Sequence, residues 1–198
     1  SEVYQTPPVI PTPEEVPLVV PDLKNPRYSY AGGKIAAELM AWWSPIPRVL
    51  VVRPHNIYSA DQRPGHVIAD LIRKVAALPL DEPLDLNSPG NDTRAFCYID
   101  DFVAGALRIA EHHSGDERTR EVYNIGNDRE TTIGELARTI GEELGRHELR
   151  VNAGPGLPGA TRRRCPDVSK LRALGWSPKV SLEDGIRRTV EAWREAKK

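Results

Sequence analysis

Ser29-Tyr30-Ala31-Gly32-Gly33-Lys34 sets a phenol and an ammonium four residues apart at the start of a helical pattern. On a helix, positions i and i+4 share one face, about one turn apart. A free phenol, with a pKa of roughly 10, is a poor base at neutral pH. A cation one turn away favours the phenolate and brings proton transfer toward the working range. Such a pair can take a proton from a hydroxyl while a hydride leaves the same carbon. The same spacing also describes an ordinary helix face, so the rest of the chain decides what the pair means.

Residues 28–43 read as one helix. Ile35, Leu39 and Trp43 form an apolar stripe, and Tyr30, Lys34 and Glu38 form a second stripe on another face. Pro45 and Pro47 end it. Val49-Leu50-Val51-Val52 then predicts a strand buried on both faces in a parallel sheet. Helix and strand in this order are the rhythm of an α/β fold. At the strand's end stands Arg53-Pro54-His55-Asn56-Ile57-Tyr58. Ligands of open α/β sheets bind at the carboxyl ends of strands, and Asn56 offers donors and an acceptor there, though a loop cap would use it equally well.

Upstream, residues 1–27 carry seven prolines. Val3-Tyr4 reads as the end of a strand and the remainder as an irregular loop laid over a surface. Its apolar residues, among them Val9, Ile10, Val16 and Leu18, argue against a disordered linker. Downstream, a helix is expected over His66–Ala77, short strands over 84–88 and 94–98, and a helix capped by Asp100 running to about His112. Glu121–Gly126 reads as a strand and turn. Thr132-Ile133-Gly134-Glu135 is a capping box opening a helix to Leu144. A short strand is expected over Leu149–Asn152, a mobile Gly/Pro-rich connection over 153–160, a short helix ending at Gly175, and a last helix from Ser181 with Ile186, Val190 and Trp193 on its core face.

The 198 residues are 39% apolar and 28% charged, with a net charge of -1. Neither nucleic acid nor a membrane surface is the expected partner, and the apolar runs are too short for a membrane span. Cys97 and Cys165 stand at no metal-ligand spacing and read as buried or idle thiols, so no metal is expected. With no basic, apolar leader at Ser1-Glu2-Val3-Tyr4, a cytoplasmic location is expected.

Taken in order, several segments resemble the extended short-chain dehydrogenase/reductase family, and within it the NAD-dependent sugar-nucleotide epimerases, dehydratases and decarboxylases. Tyr30 and Lys34 match its YxxxK pair. Arg53–Tyr58 is similar to its R-P-x-N-x-Y-G loop, and Arg94-Ala95-Phe96-Cys97-Tyr98-Ile99-Asp100-Asp101 to R-x-F-x-Y-V-x-D. Tyr123-Asn124-Ile125-Gly126 and Arg164-Cys165-Pro166-Asp167 through Leu174-Gly175-Trp176-Ser177-Pro178 match two further motifs. The resemblance implies an enzyme with Tyr30 as general acid/base, and Lys34 holding the nicotinamide ribose of NAD, with Pro54 beside it. Asn56, His66, Val67, Arg94 and Arg164 would hold a nucleoside-diphosphate sugar, the two arginines on its phosphates. Arg164 is expected to be a loop residue whose loss leaves the fold intact. Glu2 stands where the family places a residue next to its catalytic Ser/Thr and is a candidate catalytic group.

The resemblance further implies a Rossmann-like parallel sheet, here its C-terminal portion, with a smaller α/β substrate-binding lobe. Residues 1–65 would be the remainder of the NAD-binding domain, and 66–198 mixed Rossmann strands and the sugar-nucleotide lobe. The Gly-rich dinucleotide turn does not occur in these residues. The implied reaction is epimerisation through a transient 4-keto sugar. The alternatives are decarboxylation, which the Ser1-Glu2 pair resembles, dehydration, or a non-catalytic fragment. The implied partners are a homodimer mate or a complementary N-terminal half.

Overall fold

A computed structural model describes residues 1–156 and 160–198; Leu157, Pro158 and Gly159, inside the connection expected to be mobile, lie outside the described residues. In chain order the elements are a 3₁₀ turn (Glu2–Tyr4), a second 3₁₀ turn (Pro26–Tyr28), α1 (Ser29–Trp42), β1 (Arg48–Pro54), β2 (Ile57–Tyr58), α2 (Val67–Ala77), β3 (Leu84–Asp85), β4 (Thr93–Arg94), β5 (Cys97–Tyr98), α3 (Ile99–His112), β6 (Thr119–Ile125), β7 (Thr131–Thr132), α4 (Ile133–Glu143), β8 (Val151–Asn152), β9 (Arg163–Arg164), α5 (Ser169–Arg172) and α6 (Leu182–Glu195).

β1 and β6 pair in parallel along their whole lengths, from Arg48 beside Thr119 to Pro54 beside Ile125. Alternation along the strands sends Leu50, Val52, Tyr123 and Ile125 to one face, where Ile109 of α3, Leu171 of α5 and Trp176 close a core. Arg53 and Asn124, side by side in the register, face α1 and the N-terminal loop. The arrangement is a Rossmann-like α/β sheet with helices on both faces. A second, larger core joins α2, α4 and α6 through Ile68, Ile72, Leu136, Ile140, Ile186 and Val190. Short strands stitch this lobe together: β2 with β5 and β3 with β8 in parallel, and a mixed sheet of order β7-β4-β9. The expected capping box is present, with Thr132 and Glu135 bonding each other's backbone N–H groups. Among the described residues no helix is long and apolar enough to cross a membrane.

Four expectations are corrected. Val3-Tyr4 forms a 3₁₀ turn, not a strand, because Gln5 at φ 51° turns the chain out of any extended ladder. Val51 and Val52 are half-buried, because among the described residues only β6 pairs with β1 and its other edge is free. The Ile35-Leu39-Trp43 stripe is not a core face: Leu39 is 56% and Trp43 81% exposed, and Ala31 alone on α1 is fully buried. The helix is instead rotated to send Glu38 to Arg53. Asp100 is not a cap. Tyr98 holds that position, and Asp100 pairs with Arg188 at 3.1 Å.

The N-terminal loop, the end of β1 and the segment before α5 are tied together by the side chain of Asn124, which is wholly buried. Its Oδ1 accepts from Tyr4 Oη at 2.8 Å and from His55 Nε2 at 3.1 Å, and its Nδ2 donates to the Thr12 and Asp167 carbonyls at 3.0 and 3.2 Å. These partners fix His55 as the Nε2–H tautomer, and its Nδ1 is buried without a partner. Burial, with a smaller contribution from nearby positive charge, pushes the His55 pKa down to about 3.

Asn124→Ala is expected to destabilise the chain by about 3 kcal/mol or more, since it orphans several buried groups at once. Asn152→Ala, whose side chain bonds Asp85 at the surface, should cost less than about 0.5 kcal/mol. Urea unfolding midpoints read both. His55 is neutral when folded and takes up a proton near pH 6.5 when unfolded. Its linked stability is therefore intact above that pH and is lost as pH falls toward 3, at a slope approaching about 1.4 kcal/mol per pH unit. Urea midpoints between pH 7 and pH 4 measure this, and His55→Gln should flatten the slope.

Candidate active site

The carboxyl end of β1 opens into a cleft of about 700 Å³. One wall is α1, whose first turn follows the 3₁₀ turn capped by Asn25, so that Tyr30, Lys34, Ala37 and Ala41 present one face to the opening. Tyr30 and Lys34 share that face, with Lys34 Nζ 5.4 Å from the centre of the Tyr30 ring. The other walls carry Glu2, Pro54, Asn56 and His66. Tyr30 is 62% exposed, open to a ligand rather than packed into a core. Pro54 ends β1 and its carbonyl accepts from the Ser1 nitrogen at 2.7 Å, which seats Glu2 beside the opening. His66 is the N-cap of α2 and projects no capping bond from its side chain.

A second cleft of about 360 Å³ adjoins the first and holds Val67 and Arg94. Asn56 lines both clefts. Its backbone is left-handed, φ 44°, a conformation asparagine tolerates. That kink separates β1 from β2, and the Asn56 amide donates to the Ala95 carbonyl at 3.3 Å.

Both phosphate-candidate arginines have partners within the chain. Arg94 donates to the Thr93 carbonyl at 2.7 Å and the Thr161 carbonyl at 2.8 Å. Arg164 lines neither cleft; its guanidinium forks onto Glu2, with Nη2 3.0 Å from Oε2, and also reaches Thr161 Oγ1 at 3.1 Å. It is buried, with its Nε unpartnered, so it is no peripheral loop cation. Burial pushes the Glu2 carboxyl up, but the hydrogen bonds and charge of Arg164 outweigh it and hold Glu2 below the usual carboxylate range.

Sequence reasoning missed several residues of the second cleft: Arg27, Lys74, Asn87, Ser88 and Asp92. Neither Arg27 nor Lys74 makes an ion pair among the described residues. Arg27 was within reach of the pattern, since it stands three residues before Tyr30 on the same rising turn. Lys74 sits in the last turn of α2, where a basic residue suits the helix end and draws no notice.

Residues 1–126 match the model of the NAD dependent epimerase/dehydratase family. The chain is 31% identical over 200 residues to UDP-glucose 4-epimerase of Mycolicibacterium smegmatis, covering 98% of this chain and 60% of that protein. It is 33% identical over 205 residues to UDP-glucuronic acid decarboxylase 6 of Arabidopsis thaliana, covering 98% and 55%. Its fold matches the crystal structure of a Thermotoga maritima UDP-glucose 4-epimerase with UDP-glucose at a TM-score of 0.73, with 29% identity over 96% of this chain and 59% of that one. The chain thus spans somewhat over half the length of these relatives. Members of the matched family are NAD-dependent enzymes. With its Tyr30–Lys34 helix beside the carboxyl end of a parallel strand, this chain belongs to the NAD dependent epimerase/dehydratase family.

Proposed function

We propose that this chain carries the proton-moving and sugar-nucleotide-binding part of an enzyme that modifies a nucleoside-diphosphate sugar, epimerising it through a transient 4-keto sugar. The observation that carries this reading is the convergence of Tyr30, Lys34, Glu2, Pro54, Asn56 and His66 on one cleft. NAD, when bound, supplies hydride acceptance and return at the sugar carbon. The residues present fit one end of that cofactor. Among the described residues the three Lys34 donors beside Tyr30 have no hydrogen-bond partner, as a ribose diol needs, whereas those residues include no Gly-rich strand-to-helix turn to cradle the pyrophosphate. Tyr30, as the phenolate, takes the proton of the sugar hydroxyl as the carbon becomes a ketone, and returns it to that same oxygen when the carbon of the turned sugar is reduced from the opposite face. Lys34 holds the negative charge of the phenolate before the proton arrives and after it is returned. Asn56, at the junction of the clefts, orients the sugar with respect to Tyr30. Arg27, Lys74 and Arg94 meet the phosphates in the second cleft, with Val67 beside them.

A second reading is decarboxylation of a uronic-acid nucleotide, supported by the Glu2–Arg164 pair, which sets a partly exposed carboxylate, held by a buried guanidinium, on the wall of the cleft. Product analysis with neutral-hexose and uronic-acid nucleotides separates the two, since only the second releases carbon dioxide.

Titration calorimetry on the chain tests the binding half of the proposal. Nucleoside-diphosphate sugar is expected to bind measurably, NAD poorly, and no turnover is expected from the chain alone. Charge-assisted contacts are worth roughly 1.5–3 kcal/mol each, so Arg27→Ala should weaken sugar-nucleotide binding about tenfold or more, and Tyr30→Phe should leave it nearly unchanged. Tight NAD binding, or indifference to Arg27→Ala, counts against the assignment. The same reading expects association, with a second copy or a complementary N-terminal half, through the free edge of β1 and the exposed Leu39, Met40 and Trp43 of α1. Light scattering that finds a stable monomer with a sharp melt speaks against it.

A further inference from the structure

Tyr30, Lys34 and Glu38 stand on successive turns of α1, and all three line the larger cleft. Lys34 therefore has two competitors for its ammonium, the phenol one turn back and the carboxylate one turn on. In the structure the ammonium stands over the Tyr30 ring and makes no ion pair among the described residues. Both oxygens of Glu38 are taken by Arg53: Nε lies 3.1 Å from Oε2, and Nη2 meets Oε1. We infer that Arg53 is a positioning residue, which clamps Glu38 and so keeps that carboxylate off Lys34. This rests on the reading of Tyr30 and Lys34 as the proton-moving pair.

The clamp is built to stay shut. Arg53 leaves β1 on the face that meets α1, and its third nitrogen, Nη1, donates to Tyr4 Oη and to the Glu14 carbonyl, both at 2.7 Å. The guanidinium is thus held from two sides and cannot follow Glu38 outward. The side chains of Arg53 and Glu38 are 7% and 14% exposed. A carboxylate that deep needs a cation. If the guanidinium is removed, the cation one turn away on the same helix face is Lys34. Its charge and donors then go to Glu38 and are lost to Tyr30. Lysine at position 53 is a poor substitute, because a single ammonium cannot grip both carboxylate oxygens and Tyr4 together.

The test uses proton NMR of the chain. The Lys34 ε-methylene protons, beside the Tyr30 ring, carry a ring-current shift that Tyr30→Leu abolishes, which identifies it. R53M is expected to lose this shift, and the double variant E38Q/R53M to regain it, because an uncharged amide does not draw the ammonium away. If R53M does not fold, R53K should show a partial loss that E38Q/R53K reverses. Retention of the shift without the Arg53 guanidinium overturns the inference. So does an equal loss in the single and double variants, which is the pattern of a purely structural residue. Turnover does not enter this readout. An assembled enzyme indifferent to Tyr30→Phe would defeat the proton-moving reading while leaving the contact pattern standing, and a failed contact pattern defeats the role of Arg53 alone.

Discussion

The Asn124 amide is the constraint on which the site depends. A fully buried side chain of this kind is tolerable only when each polar atom is matched, and here four partners from three separate stretches of chain match it. Its backbone N–H adds a fifth tie, to Glu14 at 2.8 Å. Aspartate in its place would lose the two donors that hold Thr12 and Asp167, and glutamine would push its amide past Tyr4. Because Tyr4 is held, the turn that precedes it is held, and Glu2 reaches the cleft. Because Tyr4 is held, Arg53 is held as well, and with it the azimuth of α1. Gly126 belongs to the same constraint. A Cβ there would sit 2.7 Å from His55 Cβ and 2.9 Å from Pro166, so only glycine lets the turn after β6 pass so near the network.

What was legible in the residues was whatever local physics decides. The capping box at Thr132, the strand ending in Tyr123-Asn124-Ile125, and the apolar face of α6 all stand where short-range pattern places them, because cap chemistry and periodicity act within a few residues. The Tyr30–Lys34 pair belongs to the same class, since one turn of helix fixes it. The Rossmann-like class followed from the order of elements together with the family motifs. What was not legible depends on partners distant in sequence. Leu39 and Trp43 have the spacing of a core stripe, but the rotation of α1 is set by a charge pair with Arg53, which periodicity does not count. Val3 and Tyr4 look like a strand end, yet the pull of Asn124, 120 residues later, and the positive φ of Gln5 make a turn of them. Arg164 reads as a loop cation for phosphate, and nothing near it in sequence shows that Glu2 waits for it across the fold.

The two family arginines differ in what holds them, and that difference orders the proposed phosphate cleft. Arg94 is bonded to neutral carbonyls of Thr93 and Thr161, while Arg164 is forked onto a carboxylate. Charge-assisted bonds are roughly twice as strong as neutral ones. A phosphate can therefore outbid the carbonyls of Thr93, Thr161 and Arg162 for Arg94 far more readily than it can draw Arg164 from Glu2. On the proposed reading, the anion is met by Arg27 and Lys74, which have no ion pair among the described residues, and by Arg94 after a local exchange of acceptors. Arg164 keeps Glu2 instead. Its buried guanidinium favours the ionised carboxylate next to the reacting centre, so its contribution to a sugar nucleotide runs through Glu2 and not through the phosphate. The cleft given to phosphate carries two carboxylates, Asp70 and Asp92, among its cations, and the one given to the sugar holds Glu2 and Glu38, each under an arginine. With both acids paired in this way, Lys34 is a cation of that cleft without an ion pair among the described residues, and Tyr30 is the group it faces.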